Sequence, residues 1–166
     1  TTTGGGLLSI NNIQNADGGG GVAVGSGVLN GSGKIGGDLA NENGGTVAPG
    51  NSPGTLTVDG NYTQGATGTL AIEIAETAFD RLVVNGQANL AGTLDVTLLD
   101  GYVPSDGATF DILDFSSVSG DFDTLNLPTD FSWDVTTGLL SVGAGGPGLP
   151  GDFNGNGVVD AADYTL

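Results

Sequence analysis

Short apolar runs separated by Gly, Asn and Pro follow one another along the chain. In residues 69–74 every second side chain is apolar, which is the period-two pattern of a strand with one buried face. The same alternation returns at 94–98 and at 110–112, and no stretch before residue 160 has a helical period. The pattern therefore predicts an all-β protein. The candidate strands begin at residues 46, 55, 69, 81, 93 and 109.

One phrase, Gly-Thr-Leu-x-Val/Ile, begins at Gly54, Gly68 and Gly92 and has a looser echo at Gly138. Turn-forming residues lie between the strands, and Asn85-Gly86 is predicted to be one of these turns. Repeated short strands can stack in successive coils and share one core. We therefore expect a parallel β-helix, or solenoid. Because the intervals between strands are less regular than in a strict solenoid, a β-sandwich or jelly roll is the alternative.

The chain divides into four predicted segments. Residues 1–45 alternate Gly clusters with short apolar runs and are predicted to be thin N-terminal coils, with a mobile Gly-rich leader as the alternative. Residues 46–142 form the body, residues 143–151 have the composition of a Gly/Pro linker, and residues 152–166 form a short tail. A cap is expected at the end of the body, because a solenoid must cover its last open layer. The predicted cap is rich in aromatic residues, namely Phe110, Phe115, Phe122, Phe131 and Trp133.

The chain carries 19 acidic residues against two basic ones, Lys34 and Arg81, for a net charge of -17. Such a field repels phosphate backbones and anionic lipid headgroups, so we expect no nucleic-acid partner. Fifteen of the acidic residues lie at or after Glu73, so the first third is nearly neutral, which suggests an assembly face distinct from a solvated one. No apolar run approaches the roughly 20 residues that cross a bilayer, so no membrane insertion is expected.

Oxygen-bearing residues in the tail follow the spacing of an EF-hand calcium loop over residues 152–163. Gly157 occupies the position at which such a loop turns sharply, and the next residue contributes a backbone carbonyl. A hard cation needs this shell of oxygens, so the predicted cofactor is Ca²⁺, with an ordinary Asn/Gly turn as the alternative. The predicted metal ligands are Asp152, Asn154, Asn156, Val158, Asp160 and Asp163.

Two glycine-containing segments match the consensus sequences of functional sites but lack the other features that those sites require. Residues 50–54 fit G-x-S-x-G, but the chain has no His to act as base, and Pro53 lacks the N–H that an oxyanion hole requires. Residues 31–36 fit G-x-G-x-x-G without the strand-turn-helix context of a dinucleotide site. A glycosidase would need two carboxylates opposed across a cleft with different pKa values, and β-helical lyases usually need a basic residue. We therefore predict that the protein is not an enzyme.

Residues 45–58, which read Gly-Thr-Val-Ala-Pro-Gly-Asn-Ser-Pro-Gly-Thr-Leu-Thr-Val, resemble the autotransporter-passenger-associated β-strand repeat. The resemblance extends over roughly residues 44–142. It implies a right-handed parallel β-helix, mostly non-catalytic, in secreted or surface-exposed bacterial adhesins. The chain is much shorter than an autotransporter passenger, so secretion by that route is not implied. The further matching segments are 60–64, 70–74, 80–84, 92–94 and 109–113.

The calcium-loop residues resemble the first half of a type I dockerin, including Ala161-Ala162-Asp163-Tyr164 at the start of a helix. A dockerin contains two such loop-helix segments, and the tail matches the first of them. The resemblance implies a cohesin-like protein as a partner.

These observations predict a secreted bacterial structural protein, a self-assembling solenoid subunit of an extracellular fibre, matrix or surface layer that serves adhesion. A short solenoid has two ends with unpaired strands, and the next subunit can cover them. The apolar run from Leu7 to Ile13 is the candidate strand donor. Two alternatives stay open: an extracellular binding module for a carbohydrate or a cohesin-like partner, and a β-helix enzyme that acts on polysaccharide.

Overall fold

The computed structural model describes residues 2–3, 7–9, 13–14 and 21–143. Every regular element within these residues is a strand, which confirms the predicted all-β class. No helix in this part of the chain is long and apolar enough to cross a membrane. The strands, in chain order, are β1 (Thr2–Thr3), β2 (Leu7–Ser9), β3 (Ile13–Gln14), β4 (Val22–Val24), β5 (Val28–Gly31), β6 (Lys34–Ile35), β7 (Leu39–Asn41), β8 (Thr46–Pro49), β9 (Thr55–Val58), β10 (Tyr62–Gln64), β11 (Thr69–Ile74), β12 (Arg81–Leu90), β13 (Thr93–Leu98), β14 (Thr109–Asp111), β15 (Leu113–Gly120), β16 (Thr124–Asn126), β17 (Phe131–Asp134) and β18 (Leu139–Val142).

The six candidate strands predicted from the pattern are all present, and each begins at the predicted residue, as β8, β9, β11, β12, β13 and β14. The predicted turn at Asn85-Gly86 is wrong, because β12 runs through it. The pairing of β12 with β15 shifts register between Val84 and Gln87, so the glycine sits at an irregularity inside one long strand rather than at a reversal of the chain.

Most strands pair in parallel and form two sheets. The larger sheet has the order β1-β4-β7-β10-β12-β9-β6-β3, with β15 also paired to β12, and it turns back on itself at β12. The second sheet has the order β16-β13-β11-β8-β5-β2. Neighbours in both sheets are mostly three strands apart in the chain. This interval falls to two between β10 and β12 because β12 occupies two positions in the sheet. Its residues Arg81–Val84 pair with β9, whereas Ala88 and Asn89 pair with β10.

The register of the parallel strands aligns their apolar positions. In the six-stranded sheet, one residue from each strand lies opposite one on the next strand, so that six residues form a row across the sheet. The residues between the two ends of this row are fully buried. Parallel pairing without slippage keeps every member on the same face, so each strand extends one continuous core. This row consists of Leu8, Leu29, Val47, Leu70, Leu94 and Leu125.

A third sheet, β14-β18-β17, is antiparallel and carries three of the five aromatic residues predicted for the cap, Phe110, Phe131 and Trp133. The rings of Phe110 and Phe131 stack with centroids 6.0 Å apart, and Phe79 meets Phe110 edge-on at 5.5 Å. Phe122 packs against Trp133 at 5.5 Å. The sandwich or jelly-roll alternative requires mainly antiparallel pairing, whereas the two larger sheets described here are parallel.

Two buried amides fix the corners at which the chain passes from the larger sheet into the six-stranded one. Asn41 and Gln64 are partners in the register of β7 and β10 and are almost completely buried. The Asn41 side chain donates to the Thr69 carbonyl at 3.0 Å. Gln64 Nε2 donates to the carbonyls of Ala91 and Thr93 at 2.8 and 3.0 Å. Each amide therefore holds the next passage of the chain into the six-stranded sheet. The backbone carbonyls that accept these bonds have hydrogen-bond partners although they are remote from water.

Candidate functional site

The last strands of the two parallel sheets present edges with no strand partner in the part of the chain that the structure describes. These edges are residues 116–120 of β15 and residues 124–126 of β16, and we refer to them together as the open edge. All three residues of β16 are exposed. Leu125 continues the buried row through Leu94 but is 45% exposed, so the core is uncovered at this end. An unpaired edge beside exposed apolar surface is a template for the addition of another strand.

Two acidic side chains in the loop between β15 and β16, beside the open edge, have defined hydrogen-bond partners. Asp121 Oδ1 accepts a hydrogen bond from Trp133 Nε1 at 2.9 Å. Asp123 Oδ2 accepts one from the Gly92 N–H at 2.6 Å. These bonds tie the loop between β15 and β16 to the third sheet and to the preceding corner, so the open edge is held in a defined position.

The predicted strand donor, the run from Leu7 to Ile13, contributes β2 and β3, and both pair within their own chain. Strand β2 pairs in parallel with β5, and β3 pairs with β6. Leu8 packs against the core, while Leu7 is 68% exposed. These strands lie at the opposite ends of the sheets from the open edge. Donation of this run to a neighbouring molecule stays a prediction.

Both basic residues of the chain are engaged in ion pairs between neighbouring repeats. Lys34 Nζ lies 2.8 Å from Asp59 Oδ2, and the hydrogen bond from Lys34 is the main reason that the pKa of Asp59 lies below its usual value. Arg81 contacts the carboxylates of Asp111 and Asp114 at 2.5 and 3.1 Å. Because the sequence contains no other Lys, Arg or His, no basic side chain is left unpaired to bind an anionic substrate.

A cavity of about 350 Å³ lies beside the G-x-S-x-G turn, and Ser52, Glu73 and Asp80 contribute to its lining. The turn joins β8 to β9, as expected for a Pro-Gly turn between strands. The Ser52 hydroxyl donates to the Glu73 carboxylate. The G-x-G-x-x-G segment begins at the last residue of β5 and includes β6, and no helix follows it as far as residue 143.

Asp80 is the most unusual polar residue of this cavity, because only 2% of its surface is exposed. Its Oδ1 accepts the Gly54 N–H at 2.7 Å and its Oδ2 accepts the Glu73 N–H at 2.9 Å. Burial raises the pKa of Asp80 to about 6, with a smaller contribution from Glu73, although both hydrogen bonds oppose the change. Two carboxylates in unequal environments are what a glycosidase needs, but both Asp80 oxygens are taken by backbone N–H groups. Asp80 therefore clamps the turn to β11.

Asp80 is not among the predicted site residues, although the strand pattern contains a signal for it. Asp80 precedes Leu82 and Val84 by two and four positions, so the alternation places all three on one face, and all three are buried. A carboxyl group at an inward position must find hydrogen-bond donors, which predicts a structural clamp or a functional acid.

The predicted calcium ligands lie outside the described residues, as do most of the Gly/Pro linker and the dockerin-like segment. Those ligands are Asp152, Asn154, Asn156, Val158, Asp160 and Asp163. Within the residues that the structure covers, no group of three or more Asp, Glu, His or Cys side chains is arranged to hold a metal ion. The calcium loop thus stays a prediction.

No known family model matches the chain, and no curated protein matches it significantly. The resemblance to the autotransporter-associated repeat and to a dockerin therefore depends on the residues quoted above.

Proposed function

We propose that the parallel strands form one three-sided β-helix. The chain visits three columns of strands in turn: one contains β4, β7 and β10, the next β5, β8 and β11, and the third β6 and β9. Strand β12 bridges two columns, since its first half pairs with β9 and its second half with β10. On this interpretation the nine-stranded sheet is two sides joined at a corner, and the antiparallel sheet is the aromatic-rich cap.

We propose further that the protein is a non-catalytic structural subunit, secreted by a bacterium, that assembles through its open edge into an extracellular fibre, matrix or surface layer. The observation that carries this proposal is the exposure of Leu125 on an unpaired strand at the end of a buried row. A strand from a second copy would pair with β16 and cover this leucine, so that main-chain hydrogen bonds and apolar burial act together.

Charge favours head-to-tail contact between copies. Residues 114–130 contain four acidic residues and no basic one, whereas residues 1–37 contain only Asp17 and Lys34 as charged side chains. Two open edges placed face to face would bring like charges together, while the nearly neutral β2 end avoids this repulsion. Strands β2 and β16 are the two ends of one sheet, so a contact between them continues that sheet. A head-to-tail contact that does not close into a ring produces a filament.

The proposal that the protein is not catalytic is supported by the contacts that its charged side chains make. Lys34 and Arg81 are in ion pairs, and both oxygens of Asp80 accept backbone hydrogen bonds. An acidic surface also favours solubility outside the cell, in agreement with the secreted location that the adhesin-like repeat implies.

The experiment compares assembly of the full chain with that of two Lys variants that change the net charge equally. Leu125→Lys places a charge on the inward position of the open edge, whereas Val103→Lys alters a side chain that is 83% exposed and outside it. Light scattering and negative-stain microscopy should show concentration-dependent filaments for the original chain and for Val103→Lys, and loss of filaments for Leu125→Lys. A chain that stays monomeric at high concentration, with and without Ca²⁺, or a Leu125→Lys variant that assembles normally, would refute the proposal.

A second candidate function, carbohydrate binding, is favoured by the cavity beside the oxygen-bearing side chains of Ser52 and Glu73. Hydroxyl and carboxylate groups of this kind can bind the hydroxyls of a neutral sugar. Calorimetry with neutral oligosaccharides should then give heat that Ser52→Ala reduces, and a complete lack of heat would remove this candidate.

A further inference from the structure

Three Asn-Gly pairs lie in the described part of the chain, at Asn30, Asn43 and Asn85. In such a pair the backbone nitrogen of the glycine can attack the Asn side-chain Cγ. A C–N bond forms, ammonia leaves, and a five-membered succinimide results. Water then opens the ring on either side and gives Asp or isoaspartate. The reaction requires the glycine nitrogen to leave any hydrogen bond that holds it, and it requires room for the ring.

Two of the pairs are locked by backbone hydrogen bonds of their glycines. The Gly31 N–H donates to the Gly50 carbonyl at 2.9 Å, and the Gly86 N–H donates to the Gly60 carbonyl at 3.0 Å. Asn85 is held as well, because its Nδ2 donates to Asp59 Oδ1 at 2.9 Å. Attack at either glycine nitrogen must first break a bond between neighbouring repeats.

The third pair, Asn43-Gly44, lies in the corner between β7 and β8, and both residues are exposed. The Gly44 N–H makes no hydrogen bond within the described residues. The space where a Gly44 side chain would stand has no heavy atom closer than the Thr67 carbonyl oxygen at 4.0 Å. The corner is anchored on both sides, by buried Asn41 and by the Gly45 carbonyl, which accepts the Thr69 N–H at 2.9 Å.

We propose that Asn43 is a site of spontaneous deamidation and that the fold protects Asn30 and Asn85 from the same reaction. The product carries one more negative charge than the original chain. Where the ring opens to isoaspartate, the backbone also gains one methylene in this corner. The modified residue stays at the surface, so the buried Asn41 anchor beside it is retained.

The test is incubation of the folded full chain at mildly alkaline pH, followed by peptide mapping with mass spectrometry and isoaspartate detection. The peptide that contains Asn43 should convert roughly tenfold faster than those that contain Asn30 or Asn85, because the latter two must first lose a hydrogen bond. Asn43→Gln, which cannot readily form the five-membered ring, should abolish the main product. In denaturant the three pairs should react at similar rates.

Peptide mapping separates these sites from the Asn-Gly pairs of the tail. Conversion of Asn30 or Asn85 as fast as that of Asn43 in the folded chain would overturn the proposal. So would a lack of conversion at Asn43, or a preference for Asn43 that persists unchanged in denaturant.

Discussion

Replacement of Asp80 by Asn should remove a specific dependence of stability on pH. Asp80 is buried, its pKa in the folded chain is about 6, and its usual value is 3.8. The folded state therefore holds the Asp80 proton more tightly than the unfolded state does. The stability that this proton contributes is fully present below the unfolded value of 3.8 and is lost as the pH rises through about 6. The difference between the two pKa values corresponds to roughly 3 kcal/mol.

The assay is urea denaturation of the original chain, Asp80→Asn and Glu76→Gln, at several pH values between about 3 and about 7. Glu76 is exposed, so Glu76→Gln changes the net charge equally without touching the buried site. Acidification will also reduce the repulsion among the other carboxylates, and the comparison between variants cancels this effect. The free energy of unfolding of the original chain minus that of Asp80→Asn should fall by roughly 3 kcal/mol across this range. Parallel profiles for these two proteins would show that Asp80 is not buried as described.

Two further predictions concern the buried amides and the tail. Gln64→Leu should lower the free energy of unfolding by roughly 3 kcal/mol, because the Ala91 and Thr93 carbonyls and the Tyr62 hydroxyl lose their partner. The control is Gln87→Leu, at an exposed position of β12, which should change the free energy of unfolding by less than about 0.5 kcal/mol in the same urea assay. Calorimetry with Ca²⁺ should give binding heat for the full chain and none for a variant that carries both Asp152→Ala and Asp160→Ala, and a full chain that gives no heat would show that the loop prediction is wrong.

The strands could be predicted from the sequence because their signal is local. The alternation in Thr69–Ile74 reports one buried face without any knowledge of the neighbouring strands. The short strands β7 and β10 escaped prediction because three of the four buried positions at their ends hold Asn41, Tyr62 and Gln64 rather than aliphatic residues. Their burial is decided by hydrogen bonds to residues more than 25 positions away, which a local pattern does not contain.

The turn predicted at Asn85-Gly86 failed for a similar reason. Asn-Gly is a strong turn signal on local propensity. Here the Gly86 N–H bonds to the Gly60 carbonyl of the preceding repeat, and Gln87 N–H bonds to the Asn61 side chain. Contacts with the neighbouring repeat thus keep the chain extended, and the dipeptide produces only a register shift within β12. The open edge was equally beyond local prediction, because it is defined by which strand comes last in each sheet.

The uneven spacing of the predicted strands, which made a strict solenoid doubtful, has a physical explanation in the register. Val22, Leu39, Tyr62 and Ala88 are successive partners on adjacent strands, yet the chain between them differs in length each time. The extra residues lie partly in the corners and partly in longer strands, since β11 has six residues where β8 has four. Asn41, Gln64 and Asp80 bond the corner backbone from inside. Because these anchors keep the strands aligned whatever the corner length, the last strand of the six-stranded sheet still continues its register. A subunit built in this way can vary its corners without losing the surface through which we propose that it assembles.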